Sequence, residues 1–303
     1  ILWHGYKAIG TRPIRLLYGV NRLYDYEDPD EERRRAQKTI VILGMHRSGT
    51  SMIAGVLNIL GIDMGKELLG KSWSNPLGHF ENKKFLELNQ RILRKAGGSW
   101  NDPPQEKQIL AQARIFSKEI KILIQSNKSK FWGWKDPRTS LTIELFLPYL
   151  DNPYFLVCHR DASAIARSLK RRNNMKLEQG IKLTKIYNQR IERFFKRHNG
   201  LKRLDLFYEK ITSNPQEWVE KIVDYLEIQP SEQIFQKALH IIVPHERIQE
   251  ISKEMRKTEK QHKIKNLIKE AIANPKRTPK TILKWIITQV LRFIKRLPSF
   301  SYC

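Results

Sequence analysis

The sequence has only two cysteines, Cys158 and Cys303, among 303 residues. This number is too small for a framework of disulfide bonds, and Cys158 lies in an apolar run, as is typical of a small buried hydrophobic side chain. No uninterrupted apolar run reaches about 18 residues, so no helix that spans a membrane is predicted. Because no His/Cys cluster with the spacing of metal ligands occurs, we expect no metal cofactor.

Acidic side chains are scarce, since 31 Asp and Glu stand against 56 Lys and Arg, a formal net charge of +25. A basic protein of this kind attracts anionic molecules, although a solvated basic surface accounts for part of the excess. With 40% hydrophobic and 10% aromatic residues, the chain is globular and long enough for one large α/β domain or two small ones. The first residue is Ile1 and not Met, from which we expect that preceding residues are missing.

A glycine-bounded loop after a short apolar segment is the most informative feature of the sequence. Thr39–Leu43 is apolar and β-branched, which predicts a strand buried on both faces. The loop Gly44–Ser51 follows, and apolar residues then recur at helical spacing up to Gly61, a natural end for a helix. A strand, such a loop and a helix in this order hold phosphates, because loop N–H groups and the positive helix end converge on the anion.

This loop differs at one position from the Walker signature G-x-x-x-x-G-K-[ST] of nucleoside triphosphatases. Gly44, Gly49 and Ser51 fit the signature, whereas Thr50 replaces the lysine that reaches the β- and γ-phosphates. Arg47 supplies a positive charge instead, and a planar guanidinium grips an oxyanion through two hydrogen bonds. The loop is therefore predicted to bind a phosphate-like group other than Mg·ATP.

Three further apolar segments are predicted as strands, and a polar cluster follows each of them. These strands are residues 131–134, 154–158 and 204–207. Helical patterns cover residues 85–93, 105–125, 162–172, 177–198 and 215–226. Strands that alternate with helices predict an α/β fold with three layers, in which a mostly parallel sheet carries helices on both faces. Ligands bind at the carboxyl ends of the strands in such sheets.

The string RSGTS in the loop resembles the phosphosulfate-binding loop of sulfotransferases, [KR]-S-G-T-[ST], which holds the 5′-phosphosulfate of 3′-phosphoadenosine 5′-phosphosulfate (PAPS). The resemblance implies that five residues bind this group: Arg47, Ser48, Gly49, Thr50 and Ser51. In HRDASAIARSL, Arg160 and Ser168 have the spacing with which the family holds the 3′-phosphate. In LDLFYEKI, Tyr208 matches a tyrosine that commonly lies against the adenine, with a core tyrosine as the alternative.

The segment WGWKDPRTS is most similar to tyrosylprotein sulfotransferases and their bacterial relatives, in which the lysine of K-D-P lies beside the transferring sulfuryl group. The resemblance points to Lys135, and the alternative is a lysine that Asp136 holds at the strand end. Arg47 and Lys135 would then stabilise negative charge on the bridging oxygen. The resemblance covers roughly residues 39–228, excludes both ends, and implies a P-loop NTPase-like sulfotransferase fold.

Sulfuryl transfer needs a base that takes the proton of the acceptor hydroxyl. Bacterial members of the family carry a G-x-[WF]-E segment after the first helix, which corresponds to GHFE here and makes Glu81 our choice. Glu67 and His79 remain alternatives, because the long connection Gly61–Phe80 departs from the tyrosylprotein enzymes. The catalytic residues are thus predicted as Glu81, Lys135 and Arg47.

The sequence as a whole predicts a PAPS-dependent sulfotransferase that transfers the sulfuryl group to a hydroxyl acceptor such as a carbohydrate, a peptide or a lipid. The alternatives are a P-loop nucleotide kinase or NTPase, which would need Mg²⁺, and a non-enzymatic protein that binds polyanions or membranes. Residues 1–38 are predicted to be an appendage or linker, residues 39–250 the sulfotransferase domain, and residues 251–303 a basic helical C-terminal extension.

The C-terminal extension is strongly basic, with 14 Lys and Arg against 3 Asp and Glu from Ser252 onward. Residues 279–297 have an apolar stripe opposite basic side chains, which indicates a helix on an anionic membrane or a helix docked on the domain. We favour docking. We expect a cytoplasmic protein, with peripheral membrane contact as the alternative, and no specific nucleic-acid partner.

Overall fold

The computed structural model describes residues 37–243 and 245–273, together with Lys284 and Thr288. The predicted N-terminal appendage and the predicted helix over residues 279–297 lie outside the described residues, apart from Gln37, Lys38 and those two positions. A helix from His245 to Ala273 runs through the predicted boundary at residue 250, and the division into three parts stays a prediction. None of the described helices is both long and apolar enough to cross a bilayer.

One parallel sheet with the strand order β2-β1-β3-β4 forms the centre of the described structure. Its strands are β1, Lys38–Gly44; β2, Phe131–Lys135; β3, Pro153–His159; and β4, Lys202–Phe207. All four predicted strands are present, and each end lies within two residues of the predicted one. The predicted α/β fold with a mostly parallel sheet is therefore confirmed.

The helices of the described residues alternate with these strands. They are α1, Thr50–Ile59; α2, Lys83–Lys95; α3, Glu106–Leu110; α4, Ala113–Asn127; α5, Thr139–Phe146; α6, Ala162–Asn173; α7, Leu177–Arg197; α8, Tyr208–Ser213; α9, Pro215–Leu226; α10, Glu232–His240; and α11, His245–Ala273. The prediction of one helix over residues 105–125 is wrong. The chain turns at Gln112, whose N–H donates to the carbonyl three residues back, Ile109 O, at 2.9 Å, and this separates α3 from α4.

Alternate side chains of β1 point to opposite faces of the sheet, as in any strand. Val41 and Leu43 belong to a core that β1 forms with α2 to α7, whereas Ile40 and Ile42 belong to a core that it forms with α1, α8, α9 and α10. All four of these side chains are fully buried. Helices therefore cover both faces of the sheet, and the fold has three layers.

The strand order places a crevice at the carboxyl ends of β1 and β3. From β1 the chain continues to β2 at one edge of the sheet, and from β3 it continues to β4 at the other edge. The connections that leave these two adjacent strands diverge, and ligands of open α/β sheets bind at such a point. The loop after β1 and Arg160 after β3 both lie there.

Candidate active site

The loop between β1 and α1 has an unusual backbone that exposes the start of α1. Gly44, Arg47 and Gly49 have φ values of 146°, 73° and 98°. Gly49 is the N-cap of α1, and because it has no side chain, the first N–H groups of the helix stay open to an anion. Ser140 of α5 holds the other end of the loop, since Gly44 N–H donates to Ser140 Oγ at 2.9 Å.

Tyr208, the first residue of α8, lies against this loop. The centroid of its ring is 4.0 Å from Arg160 Cζ, and a Cβ placed on Gly49 would lie 2.8 Å from Tyr208 Cδ2. Tyr208 is buried and belongs to the core on the α1 side of the sheet. Its ring is thus part of the core and also the neighbour of the loop, while its contact with an adenine stays a prediction.

The close approach of Gly49 and Tyr208 predicts a specific loss of stability in Gly49→Ala. An alanine at positive φ costs about 1–2 kcal/mol of unfolding free energy, and overpacking against Tyr208 adds about 1–3 kcal/mol. Gly97→Ala is the matched control, because Gly97 also has a positive φ, 86°, but nothing lies within 4 Å of an added Cβ. Urea unfolding measures both variants, and equal losses of stability would contradict the contact.

Arg47, Arg160 and Ser168 lie together although they are distant in sequence. Arg47 Nε donates to Ser168 Oγ at 2.9 Å, Arg47 Nη1 donates to Ser74 O at 2.9 Å, and Arg160 Nη1 donates to Arg47 O at 3.1 Å. Burial lowers the pKa of Arg47 to about 9, and the charges of Arg172 and Arg160 add to this effect. Arg47 is therefore charged at neutral pH, and a bound anion would stabilise that charge.

Glu81 and Lys135 form a buried ion pair that reaches the loop. Lys135 Nζ lies 2.8 Å from Glu81 Oε1 and donates to Ser51 Oγ at 3.1 Å. Lys135 is the last residue of β2 and is fully buried, and Glu81 directly precedes Asn82, the N-cap of α2. Lys135 thus brings to the loop, from a neighbouring strand, the cation that Thr50 does not supply.

The two charges of this pair stabilise each other against the effect of burial. Burial raises the pKa of Glu81, but the charge and hydrogen bond of Lys135 and the charges of Arg138 and His79 together outweigh burial. The pKa of Glu81 therefore lies below its ordinary value of 4.5. Burial lowers the pKa of Lys135, and Glu81 acts in the opposite direction. If the ammonium turns to another anion, the pKa of Glu81 rises and the carboxylate becomes a better base.

The alternative candidate bases form no pair with Lys135, although His79 lies near Glu81 and Lys135. Glu67 pairs with Lys84 on the surface, with 3.6 Å between Oε1 and Nζ, and His79 Nε2 is 2.9 Å from Ser72 Oγ. Asp136 does not hold Lys135, since its Oδ1 pairs with Nη1 of Arg138 at 2.7 Å. Of the three candidate bases, Glu81 is the one that the structure brings into contact with Lys135.

Asn75 is a residue of the site that the sequence did not indicate beyond a turn. Asn75 Nδ2 donates to Ser51 Oγ at 2.9 Å, and Lys135 Nζ donates to the same oxygen. A hydroxyl accepts two hydrogen bonds and donates one. Both acceptor positions of Ser51 are therefore filled, and its proton is directed toward a further acceptor, such as a bound anion.

A second group of side chains next to the loop also escaped the sequence analysis. The ring centroids of His46 and Trp100 are 4.6 Å apart, and Arg172 Cζ is 5.6 Å from the centroid of Trp100. Burial, followed by the charges of Arg138, Arg172, Lys135 and Arg47, holds the pKa of His46 well below its ordinary value. His46 is therefore neutral and surrounded by cations. Its contacts come from residues that are distant in sequence, and no sequence motif predicts them.

The arrangement suits an anionic group with phosphate-like oxygens. Ser48 Oγ is buried, and among the described residues it has no hydrogen-bond partner; such a hydroxyl is typical of a ligand site. The same loop carries the Arg47 guanidinium and leads into the open N–H groups of α1 and the Ser51 hydroxyl. Within residues 37–243 and 245–273, no group of three or more His, Cys, Asp or Glu side chains could hold a metal ion.

Comparison with known proteins identifies the class to which this fold and site belong. The family model described as "Sulfotransferase family" matches residues 39–232, which is more than half of the chain. The chain belongs to the sulfotransferase family. The match contains β2, β3, β4, all of β1 except Lys38, and every predicted site residue.

The individual relatives have low sequence identity or match only a short stretch of the chain. The sulfotransferase domain from the Synechococcus PCC 7002 olefin synthase is 16% identical with a TM-score of 0.45, covering 70% of this chain and 78% of that one. Sulfotransferase STF1 from Mycobacterium tuberculosis H37Rv is 14% identical with a TM-score of 0.40, covering 74% and 78%. The probable low-salt glycan biosynthesis epimerase Agl13 of Haloferax volcanii is 64% identical over 31 residues, 10% of this chain. The chain spans only 20% of the length of that curated relative, and the family assignment rests on the family model.

Proposed function

We propose that this protein transfers the sulfuryl group of PAPS to a hydroxyl acceptor. The observation that carries the proposal is the position of Lys135, which contacts both the candidate base Glu81 and Ser51 of the loop. Base, cation and anion-binding loop are thereby connected within a few ångströms. Membership of the sulfotransferase family supports sulfuryl transfer in general, and the proposal names the donor and the residues.

The donor would lie along the loop and α6. The contacts of Arg47 with Ser168, and of Arg160 with the loop and Tyr208, support one continuous binding surface. We assign the 5′-phosphosulfate to Arg47, Ser48, Gly49, Thr50 and Ser51, the 3′-phosphate to Arg160 and Ser168, and the adenine border to Tyr208.

When bound, the donor supplies the sulfuryl group, whose bond to the phosphate oxygen breaks as the acceptor oxygen bonds to sulfur. Glu81 takes the proton of the acceptor hydroxyl. Lys135 and Arg47 stabilise the negative charge that builds up on the phosphate oxygen, and Ser51 directs its proton to the same region. The proposal includes a reaction without metal, a carbohydrate as a candidate acceptor, and a cytoplasmic location.

Calorimetric titration with 3′-phosphoadenosine 5′-phosphate (PAP), the product nucleotide, tests the donor assignment. We expect micromolar binding of PAP without metal and weaker binding of ATP with Mg²⁺. Arg47→Ala and Arg160→Ala should each weaken PAP binding by about 10–150-fold, because each removes hydrogen bonds to a charged group.

Arg167→Ala is the control for this titration, since Arg167 is an exposed arginine on α6, the helix that carries Ser168. It should leave PAP binding unchanged. A preference for ATP with Mg²⁺, which the kinase alternative predicts, or an equal loss in all three variants would contradict the proposed donor.

A further inference from the structure

Arg172 is a cation that has no role in the proposed binding of the donor. Among the described residues no carboxylate pairs with it, and its Nε donates to the side-chain oxygen of Asn173 at 2.6 Å. It is half-buried, and a charge removed from water is costly unless a counterion accompanies it. Arg172 is therefore suited to bind an anion, because the described residues provide no carboxylate partner for it.

The position of Arg172 along α6 separates it from the nucleotide end of the site. Arg160 and Tyr208 lie at the start of this helix, and Ser168, in its middle, contacts Arg47. Arg172 lies one turn beyond Ser168 on the same face, about 6 Å further along the axis. A donor that extends from Tyr208 to the loop therefore leaves Arg172 on the opposite side of Arg47.

Ring contacts place Arg172 beside the loop that the ion pair described above also reaches. Arg172 Cζ is 5.6 Å from the centroid of Trp100, and the centroid of that ring is 4.6 Å from the centroid of His46 in the loop. In agreement with this position, burial lowers the pKa of Arg172, the carboxylate of Glu81 acts in the opposite direction, and Arg138 adds to the lowering. An acceptor whose hydroxyl approaches Glu81 from this side of the loop meets the Arg172 guanidinium.

Trp100 fixes the Arg172 side chain in this place. The guanidinium lies over the indole, as described above, and a cation–π contact of this kind attracts the arginine to the ring while its Nη donors can still bind an anion. Trp100 is itself anchored, since Tyr187 Oη donates to its carbonyl oxygen at 2.9 Å. The indole is half-buried, and an aromatic surface beside a cation suits a ring that carries an anionic substituent.

Arg138 is another cation of this region, but it has a counterion. It is buried, Asp136 neutralises it through Nη1, and its Nε has no hydrogen-bond partner among the described residues. Lys135 is neutralised by Glu81, and Arg47 is assigned to the donor. Of Lys135, Arg138 and Arg172, Arg172 is therefore the one that pairs with no carboxylate among the described residues.

We propose that Arg172, held by Trp100, binds an oxyanion of the acceptor, so that the acceptor is a hydroxyl compound with a carboxylate or phosphate ester near the hydroxyl that is sulfated. This inference rests on the proposed function and specifies its substrate class. Arg172 is a residue that determines specificity and takes no part in the transfer of the proton or the sulfuryl group.

The test is calorimetric titration of the PAP-saturated protein with glucose, glucuronate and glucose 6-phosphate. We expect the two anionic sugars to bind at least about tenfold more tightly than glucose, the effect of one charged hydrogen bond. The two anionic sugars distinguish a carboxylate from a phosphate ester. Arg172→Gln should abolish the preference, Arg172→Lys should retain part of it, and Arg167→Gln, a control on the same helix, should leave it unchanged.

Several results would overturn the inference, and three of them concern the sugars. They are equal binding of glucose and the anionic sugars, no binding of either anionic sugar, and an unchanged preference in both Arg172 variants. A loss of PAP affinity in Arg172→Gln as large as in Arg47→Ala would also overturn it, because Arg172 would then belong to the donor site. Failure of the wild-type protein to bind PAP would contradict the proposed function itself, and this inference with it.

Discussion

Glu81→Gln lowers kcat for sulfuryl transfer by about 10²–10⁴-fold, the contribution of a positioned general base, while PAP binds almost as before. The amide has the shape of the carboxylate and can still accept the hydrogen bond of Lys135, but it cannot take a proton. Single-turnover transfer of a labelled sulfuryl group to an acceptor sugar measures the loss. Calorimetric titration with PAP shows whether the donor site is intact.

The pH dependence supplies a second readout for the same variant. A base acts in its deprotonated form, so kcat/KM of the wild type should fall as the pH drops through the pKa of Glu81. Because that pKa lies below 4.5, the fall begins only in the acid range. In Glu81→Gln this acid limb should be absent.

Glu67→Gln and His79→Gln are the matched controls, since both residues were candidates for the base and neither contacts Lys135. We expect each to retain kcat within about tenfold, the range below the contribution of a general base. A large loss in either control, together with an active Glu81→Gln, would assign the base to another residue and contradict the mechanism.

Lys135→Met lowers the free energy of unfolding by about 3–5 kcal/mol, because it leaves the Glu81 carboxylate buried without its counterion. The lysine is fully buried and the glutamate is 7% exposed, so water cannot replace the missing charge. The same variant should lose activity by about 10²–10³-fold, the effect of removing a group that stabilises charge in the transition state. Urea unfolding and single-turnover transfer measure the two effects separately.

The double variant Lys135→Met/Glu81→Gln separates stability from catalysis. With the buried charge removed, most of the lost stability should return, whereas activity should stay as low as in the single variants. Lys84→Met is the control, because its pair with Glu67 is on the surface, and such a pair contributes about 0–1 kcal/mol. A double variant as unstable as Lys135→Met, or one that regains activity, would contradict the two roles of the pair.

Much of the fold could be predicted from the sequence because β1, β2 and β3 are short apolar runs that are buried on both faces. The sequence analysis missed α5, because a helix that is buried on all sides shows no amphipathic period. The break at Gln112 was missed because Ile109 and Phe116, one on each side of it, keep a helical spacing and are both buried.

The candidate site divides in a similar way. Arg47, Arg160 and Ser168 could be named because their motifs preserve local spacing within a loop or a helix. Asn75, Trp100 and Arg172 could not, since their positions result from tertiary contacts between separate loops and helices. Glu81 and Lys135 were each named, but their ion pair joins residues 54 positions apart, and no sequence pattern reports such a contact.

The two hydrogen bonds that Ser51 accepts also bear on the choice of nucleotide. In a Walker loop, the corresponding hydroxyl oxygen is a ligand of Mg²⁺ and needs a lone pair for this purpose. In this protein Lys135 and Asn75 occupy both lone pairs, and the ammonium would repel a divalent cation at that distance. Because this oxygen directs its proton toward an anion and has no lone pair left for a metal ion, we expect the loop to prefer nucleotides that carry no metal.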